Sequence, residues 1–207
     1  MEKYAKLESY YLKYHYFPHL LLAVFFCLVS GGFMSFRNLN QLQAAQVMEM
    51  YVILTGIILF VPVFMPEQDQ DIWSLERSKS MPMWKLYFKR TITAAVVQAL
   101  IISGFVFLLK VQSPVVEAGA LWSGGFCEAL FLGSIGYFCG AVLNQVIIGY
   151  MISILFFAAN IGLSERFGVF GLFQMMRQND SSLLWKLAAG VLLLIAAIAL
   201  RERLAGK

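Results

Sequence analysis

Residues 91–109 read TITAAVVQALIISGFVFLL and contain no charged side chain. An apolar run of about 18 or more residues is long enough to cross the hydrocarbon core of a bilayer as an α-helix. A helix satisfies all of its own backbone hydrogen bonds, which lipid cannot do. This stretch therefore predicts a transmembrane helix. Its length and lack of charge are the criteria by which the other apolar runs of the chain are recognised.

The same pattern recurs on both sides of this stretch. Five further apolar runs lie at 19–36, 48–65, 121–143, 146–163 and 183–200. Of all 207 residues, 60% are hydrophobic and 14% are charged, whereas a soluble domain typically carries about 25% charged residues. We expect an all-α, polytopic integral membrane protein in which residues 1–207 form a single transmembrane domain with six transmembrane helices.

Basic residues are distributed unevenly between the two sides that six helices would create. With the N-terminus in the cytoplasm, the inner side carries eleven of the 16 lysines and arginines: Lys3, Lys6, Lys13, Arg77, Lys79, Lys85, Lys89, Arg90, Arg201, Arg203 and Lys207. The outer side carries Arg37, Lys110, Arg166, Arg177 and Lys186. Since basic residues beside membrane helices are retained in the cytoplasm, we expect a multi-pass protein of the cell membrane with both termini cytoplasmic.

The formal net charge of +4 does not require a nucleic-acid partner. The basic residues flank apolar runs, where anionic membrane lipids are sufficient partners. The three cysteines, Cys27, Cys127 and Cys139, lie in apolar stretches without paired spacing and are expected to be packing residues. His15 and His19 have no third ligand nearby, so we predict no metal site.

Two segments at the edges of the apolar runs have distinctive compositions. Residues 1–18 combine lysines with tyrosines, which predicts a helix lying at the headgroup level. Residues 164–182 are rich in Phe, Met, Val and Leu, too apolar for an ordinary exposed loop. We predict that this second segment re-enters the outer face of the membrane.

The loop at residues 66–90 is the longest connection on the predicted cytoplasmic side. Its apolar residues Ile72, Trp73 and Leu75 can share one face of a short helix. We expect this amphipathic helix to end near Pro82, because proline interrupts helical hydrogen bonding.

Few polar residues lie inside the apolar runs. Glu128 is about two turns into the fourth run, where an ionisable side chain is costly and marks a candidate functional site. A structural role, by snorkelling or by a hydrogen bond to a neighbouring helix, is the alternative, and in that role a neutral glutamine could replace it. Asn160 and Gln98 are the nearest polar residues in the other runs, and Asn160 joins Glu128 as a possible lining of a substrate pathway.

The fourth run also carries Gly136 and Gly140, a spacing that lets another helix approach closely. Known catalytic and phosphate-binding motifs do not occur in the chain, so we predict no catalytic residue. The glycines are therefore interpreted as packing residues.

This arrangement resembles the membrane subunit of ABC-2-type ABC transporters, six-helix permeases with an N-terminal interfacial helix and a cytoplasmic coupling helix between helices two and three. The similarity is strongest from Glu67 to Pro82, where an acidic residue ends helix two and an apolar-basic helix leads to a Ser-x-Pro-like turn, Ser80-Met81-Pro82. The resemblance implies that this segment contacts the ATPase through Glu67, Ile72, Trp73, Leu75, Glu76, Arg77 and Pro82.

The resemblance also implies a function. The chain would be a permease subunit that exports an amphipathic substrate such as a peptide, an antibiotic or a lipid-like compound. A separate cytoplasmic ABC ATPase would bind ATP and Mg, so this chain would need no cofactor of its own. It would pair with a second copy or with a related permease. The alternatives are a non-transporting structural or sensor membrane protein and an intramembrane enzyme.

The predicted topology can be tested by cysteine labelling in a variant that lacks the three native cysteines. We expect Lys79→Cys to resist a membrane-impermeant thiol reagent in intact cells, because the bilayer shields the cytoplasmic side. Val115→Cys, in the predicted outer loop between the third and fourth helices, is the control and should react. Labelling of Lys79→Cys with protection of Val115→Cys would reverse the topology.

Overall fold

The computed structural model describes residues 11–33, 38–68, 83–176 and 182–205. Helices are the only regular secondary structure in these ranges. The numbered helices are α1, formed by a π-helical turn at Tyr11–Tyr16 and Phe17–Phe33, α2 at Gln41–Gln68, α3 at Met83–Gln112, α4 at Ala118–Leu143, α5 at Val146–Leu163 and α6 at Leu183–Ala205. A 3₁₀ segment, Ser164–Phe170, follows α5.

Six helices in the described ranges are long and apolar enough to cross a membrane. The predicted all-α class and the six apolar helices are therefore confirmed, and the architecture is compatible with a multi-pass membrane protein. The side of the membrane on which the termini lie stays a prediction.

Helix α2 begins earlier than its apolar run indicates, at Gln41 instead of residue 48. Asn40 caps its N-terminus: the Asn40 side chain accepts a hydrogen bond from the Gln43 amide at 2.8 Å, and the Gln43 side chain accepts one from the Asn40 amide at 3.1 Å. This reciprocal pair satisfies amide groups that the first turn leaves without helical partners. An apolar run therefore marks the spanning part of a helix and omits its polar first turns.

The predicted interfacial segment at residues 1–18 lies partly outside the described residues. Its described part, residues 11–18, is helical and continues directly into the rest of α1. Tyr16 is buried, whereas Tyr14 and Phe17 are exposed. This part of the segment thus extends the first apolar helix, and a separate interfacial helix stays a prediction.

Helix α4 lies at the centre of the bundle and packs against α6, α5, α2 and α3. Glycines permit the close approaches. A Cβ atom on Gly56 of α2 would overlap the carbonyl oxygen of Ala129 on α4, and one on Gly133 would lie 2.6 Å from the Gly56 carbonyl oxygen. On the α5 side, a Cβ on Gly136 would lie 2.8 Å from the Gly149 carbonyl oxygen. Gly136 therefore serves helix packing, as the small-residue spacing predicted. Gly140, the other glycine of that spacing, makes an ordinary contact, since a Cβ there would lie 3.6 Å from the Gln145 carbonyl oxygen.

The outer surface of the bundle is apolar. Large exposed side chains include Leu100 and Phe107 on α3, Ile147 on α5 and Leu184 on α6. Contiguous apolar surface of this kind is rare on soluble monomers, but it is the normal state of a helix surrounded by lipid.

Hydrogen bonds between helix ends and the adjoining loops mark one end of the bundle. At one end, the Asn38 amide donates to the Gln112 carbonyl at 3.3 Å, and the Glu117 amide donates to the Gln41 side chain at 2.8 Å. We call this the return end, because the chain folds back there between α5 and α6. We call the opposite end, where α2 ends and α3 begins, the junction end.

The contact between α2 and α4 leads to a stability prediction. We expect Gly56→Ala to lower the free energy of unfolding by about 1–3 kcal/mol, because the added methyl meets backbone that cannot move aside. Gly104→Ala is the matched control, since a Cβ there meets nothing within 4 Å. Thermal unfolding in detergent measures both variants, and equal midpoints for the two would contradict the packing described here.

Candidate functional site

Helix α2 contains a π-helical turn at Met48–Val52 that carries the buried carboxylate of Glu49. The Ile53 amide donates to the Met48 carbonyl at 3.1 Å, the five-residue step of a π-turn. Such turns insert a residue into an α-helix and are frequent at functional sites. Glu49 is 0% exposed, so its charge must be balanced inside the bundle.

Helices α4 and α6 are joined by a buried ion pair between Glu128 and Lys186. Lys186 Nζ donates to Glu128 Oε1, and both side chains are 0% exposed. Glu49 lies close enough to interact electrostatically with both of them. We call Glu49, Glu128 and Lys186 the charged cluster.

Residues 171–176, which we call the return segment, fold back into the bundle and meet the charged cluster. The Met175 amide donates to Glu49 Oε1 at 2.6 Å, and the Met176 amide donates to Glu49 Oε2 at 3.1 Å. A Cβ on Gly124 would overlap the Met175 side chain, so a glycine at that position of α4 makes room for it. Main-chain amides in such a turn form a binding site for anions, here filled by the protein's own carboxylate.

The return segment is also held from α5. Asn160 accepts a hydrogen bond from the Leu172 amide at 2.9 Å and donates to the Phe156 carbonyl at 2.8 Å. Phe173 adopts a left-handed conformation, with φ of 65°. These contacts place irregular backbone where its polar groups have partners, which an apolar surrounding requires.

The predicted site residues Glu128 and Asn160 thus both lie near the return segment, in different roles. Asn160 uses both ends of its amide to hold that segment. Glu128 does not snorkel to the outer face, since it is fully buried. Its partner Lys186, counted from sequence among the outer basic residues, lies inside the bundle near the start of α6.

Two members of the charged cluster were not predicted from sequence as site residues. Glu49 is the second residue of its apolar run, so it resembled a residue at the membrane boundary, and the earlier start of α2 moves it into the bundle. Lys186 is likewise close to the start of an apolar run. The available signal was an isolated charge on each of three apolar helices, which indicates mutual pairing.

A second polar network lies at the junction end. Arg90 of α3 donates to Glu67 of α2 at 3.0 Å, and this ion pair is buried. Arg201 of α6 donates to the Asn144 side chain at 2.6 Å and stacks over the Phe64 ring at 4.9 Å. The network links the junction ends of α2 and α3, and those of α6 and α4.

The remaining predicted coupling residues lie outside the described residues: Ile72, Trp73, Leu75, Glu76, Arg77 and Pro82. Glu67 is described, and it lies in the junction-end network. The segment at residues 69–82 therefore leaves α2 just after Glu67 and enters α3 at Met83.

Within the described ranges, no group of three or more His, Cys, Asp or Glu side chains could hold a metal ion. The three cysteines are free, Cys27 and Cys127 being buried and Cys139 half-buried. Lys186 is occupied by Glu128, and both oxygens of Glu49 are bound by amides. In this conformation the charged cluster binds protein groups and does not expose a nucleophile.

No family model matches the chain, and comparisons with curated proteins and with solved structures find no match. The resemblance to ABC-2-type permeases therefore stays a prediction from sequence pattern. The functional argument rests on the residues and contacts described above.

The Glu128–Lys186 pair leads to a second stability prediction, which replaces the expectation that glutamine is tolerated at position 128. We expect Lys186→Met alone to cost about 3–5 kcal/mol, because it leaves the buried Glu128 carboxylate without its cation. Glu128→Gln alone breaks the same ion pair but leaves Glu49 to balance Lys186, so it should cost less. The double variant Glu128→Gln/Lys186→Met should lose much less than the sum of the two. Thermal unfolding of the purified chain completes the double-mutant cycle, and additive losses would mean that the two side chains do not interact.

Proposed function

We propose that this chain is the membrane-spanning permease subunit of an ATP-driven transporter, of the ABC-2 type that its sequence pattern resembles. The observation that carries the proposal is the buried Glu67–Arg90 ion pair, which joins α2 to α3 at the base of residues 69–82. This segment has the sequence pattern of a coupling helix, and the ion pair joins the two described helices that precede and follow it.

The ion pair supports a mechanism for transmitting movement. Separating two buried charges leaves each of them without a partner in an apolar surrounding, so the pair resists separation. A displacement of residues 69–82 by a partner would therefore move α2 and α3 as a unit. The Arg201–Asn144 hydrogen bond, beside Phe64 of α2, extends that unit toward α6 and α4.

Helix α2 also connects the two ends of the bundle. Glu67 lies in the junction-end network, and Glu49, near the other end of the same helix, binds the return segment. A shift or tilt of α2 would thus change the position of Glu49 relative to α4 and α6. This coupling would let ATP hydrolysis at one end of the bundle act on the return segment at the other.

In the proposed assembly, a cytoplasmic ABC ATPase binds ATP and Mg and docks on residues 69–82. A second copy of the chain, or a related permease, completes the transport pathway in the cell membrane. The apolar helices favour export of an amphipathic compound over passage of a small hydrated ion. Membrane lipids surround the exposed apolar faces.

The docking role of residues 69–82 can be tested by co-purification with the cytoplasmic ATPase. We expect Trp73→Ala to weaken recovery of the complex, since losing a hot-spot anchor costs about 2 kcal/mol or more, or roughly 30-fold in affinity. Leu75→Asp should act in the same direction and reduce substrate-stimulated ATPase activity. Both variants should stay inserted and folded.

Val115→Asp is the matched control, because Val115 is 83% exposed in the loop at the return end. It adds the same charge at the opposite end of the bundle from Glu67 and should leave complex recovery unchanged. Unaltered recovery and ATPase coupling in Trp73→Ala and Leu75→Asp would refute the docking role. Absence of any co-purifying ATPase would favour a non-transporting structural or sensor protein.

A further inference from the structure

The charged cluster contains more negative than positive charge. Glu49 and Glu128 are two carboxylates, Lys186 is one ammonium, and all three side chains are 0% exposed. With every group in its ordinary ionised form, the cluster would carry one uncompensated negative charge inside an apolar bundle. An isolated buried charge costs far more than a buried polar group, so the excess charge needs a neutralising partner.

The hydrogen bonds show where the excess charge lies. Lys186 donates to Glu128 Oε1, so this ammonium and carboxylate balance one another. Within the described ranges, Glu49 accepts hydrogen bonds from the amides of Met175 and Met176, which supply partial charges and no full positive charge. Among the described residues, the other oxygen of Glu128, Oε2, has no hydrogen-bond partner although it is buried. In the part of the chain that the structure describes, the cluster therefore contains one more carboxylate than ammonium group, and one buried carboxylate oxygen without a hydrogen bond.

Among the described residues, the groups that neighbour the cluster include no second cation. Helix α4 contributes Cys127 beside Glu128, α6 contributes Lys186, and the return segment contributes its backbone amides, those of Phe173 and Gln174 facing Glu128. Since the three charged side chains are closed to solvent, a ligand larger than a proton could enter only if packed elements separated.

We propose that the charged cluster is a proton-binding site that holds one exchangeable proton between its two carboxylates. Glu49 carries the proton, and Glu128 Oε2 is the acceptor that the site offers to it. Glu128 and Lys186 remain an ion pair, so binding one proton from solution makes the cluster neutral. The proposal concerns the chain alone and does not depend on its being a transport subunit.

Proton binding would be linked to the return segment. The Met175 and Met176 amides bind the same carboxylate that takes the proton, and amides bind an anion more strongly than a neutral acid. Loss of the proton from Glu49 would strengthen these hydrogen bonds and create a buried negative charge. Binding of the proton would weaken the hydrogen bonds and remove that charge. The site therefore connects proton occupancy to the element that folds back between α5 and α6.

Infrared spectroscopy of the purified chain in detergent tests the proposal, because a protonated carboxyl has a C=O absorption distinct from that of a carboxylate. We expect this absorption in the wild-type protein at neutral pH and its loss in Glu49→Gln. Glu117→Gln, the same change on an exposed glutamate at the N-terminus of α4, is the matched control and should retain it. The double variant Glu128→Gln/Lys186→Met keeps the excess charge on Glu49 and should also retain it.

Helical circular dichroism and monodisperse elution must be preserved in Glu49→Gln, so that loss of the absorption reflects the missing carboxyl. If that variant does not fold, retention of the absorption in the double variant and its conversion to carboxylate on raising the pH still support the site. Absence of a protonated carboxyl in the wild type at neutral pH would overturn the proposal. So would its persistence in a folded Glu49→Gln, or a sodium-specific stabilisation of a fully ionised wild type.

Discussion

The constraint on which this structure depends is that a charge inside an apolar bundle must find its partner within the protein. Among the described residues, two buried ion pairs meet this requirement, Glu67–Arg90 at the junction end and Glu128–Lys186 toward the return end. Each pair joins two different helices, α2 to α3 and α4 to α6. Because breaking such a pair leaves an uncompensated charge, the pairs specify which helices are neighbours as well as holding them together.

The same requirement determines where the backbone can be irregular. The π-turn of α2, the 3₁₀ segment after α5 and the return segment all depart from α-helical hydrogen bonding. Glu49 and Asn160 accept hydrogen bonds from three amides of the return segment, those of Met175, Met176 and Leu172, which allows this non-helical backbone to lie within the bundle. A carboxylate that is costly on its own thus becomes the acceptor that stabilises the return segment.

Close packing around α4 links these polar sites mechanically. Gly56 and Gly133 bring α2 against α4, and Gly136 and Gly149 bring α5 against it. Lipid-facing helices gain little from burying apolar surface against one another, so close backbone contact and interhelical polar bonds supply much of the specificity. A movement of α2 that begins at the junction end would therefore displace Glu49 and, through it, the return segment. This physical connection underlies both the proposed coupling to an ATPase and the proposed link to proton binding.

The sequence by itself determined the helical class, the number of apolar helices and the packing role of the glycines. These features follow from local patterns: run length, absence of charge and the spacing of small residues. The sequence also marked Glu128 as unusual, because a single charge in an apolar run is visible without knowledge of its neighbours. The predicted positions of the helix ends were less accurate, because polar capping turns such as Asn40 to Gln43 have the amino-acid composition of a loop.

Only the tertiary structure decided what these charges do. Glu49, Glu128 and Lys186 are separated by tens of residues, and no local pattern connects them. Their meeting depends on the rotation of each helix about its axis, on the π-turn that orients Glu49 and on the return of residues 171–176 into the bundle. Helix rotation is set by packing against neighbours, so pairing between distant charges becomes known only when all the helices are in place.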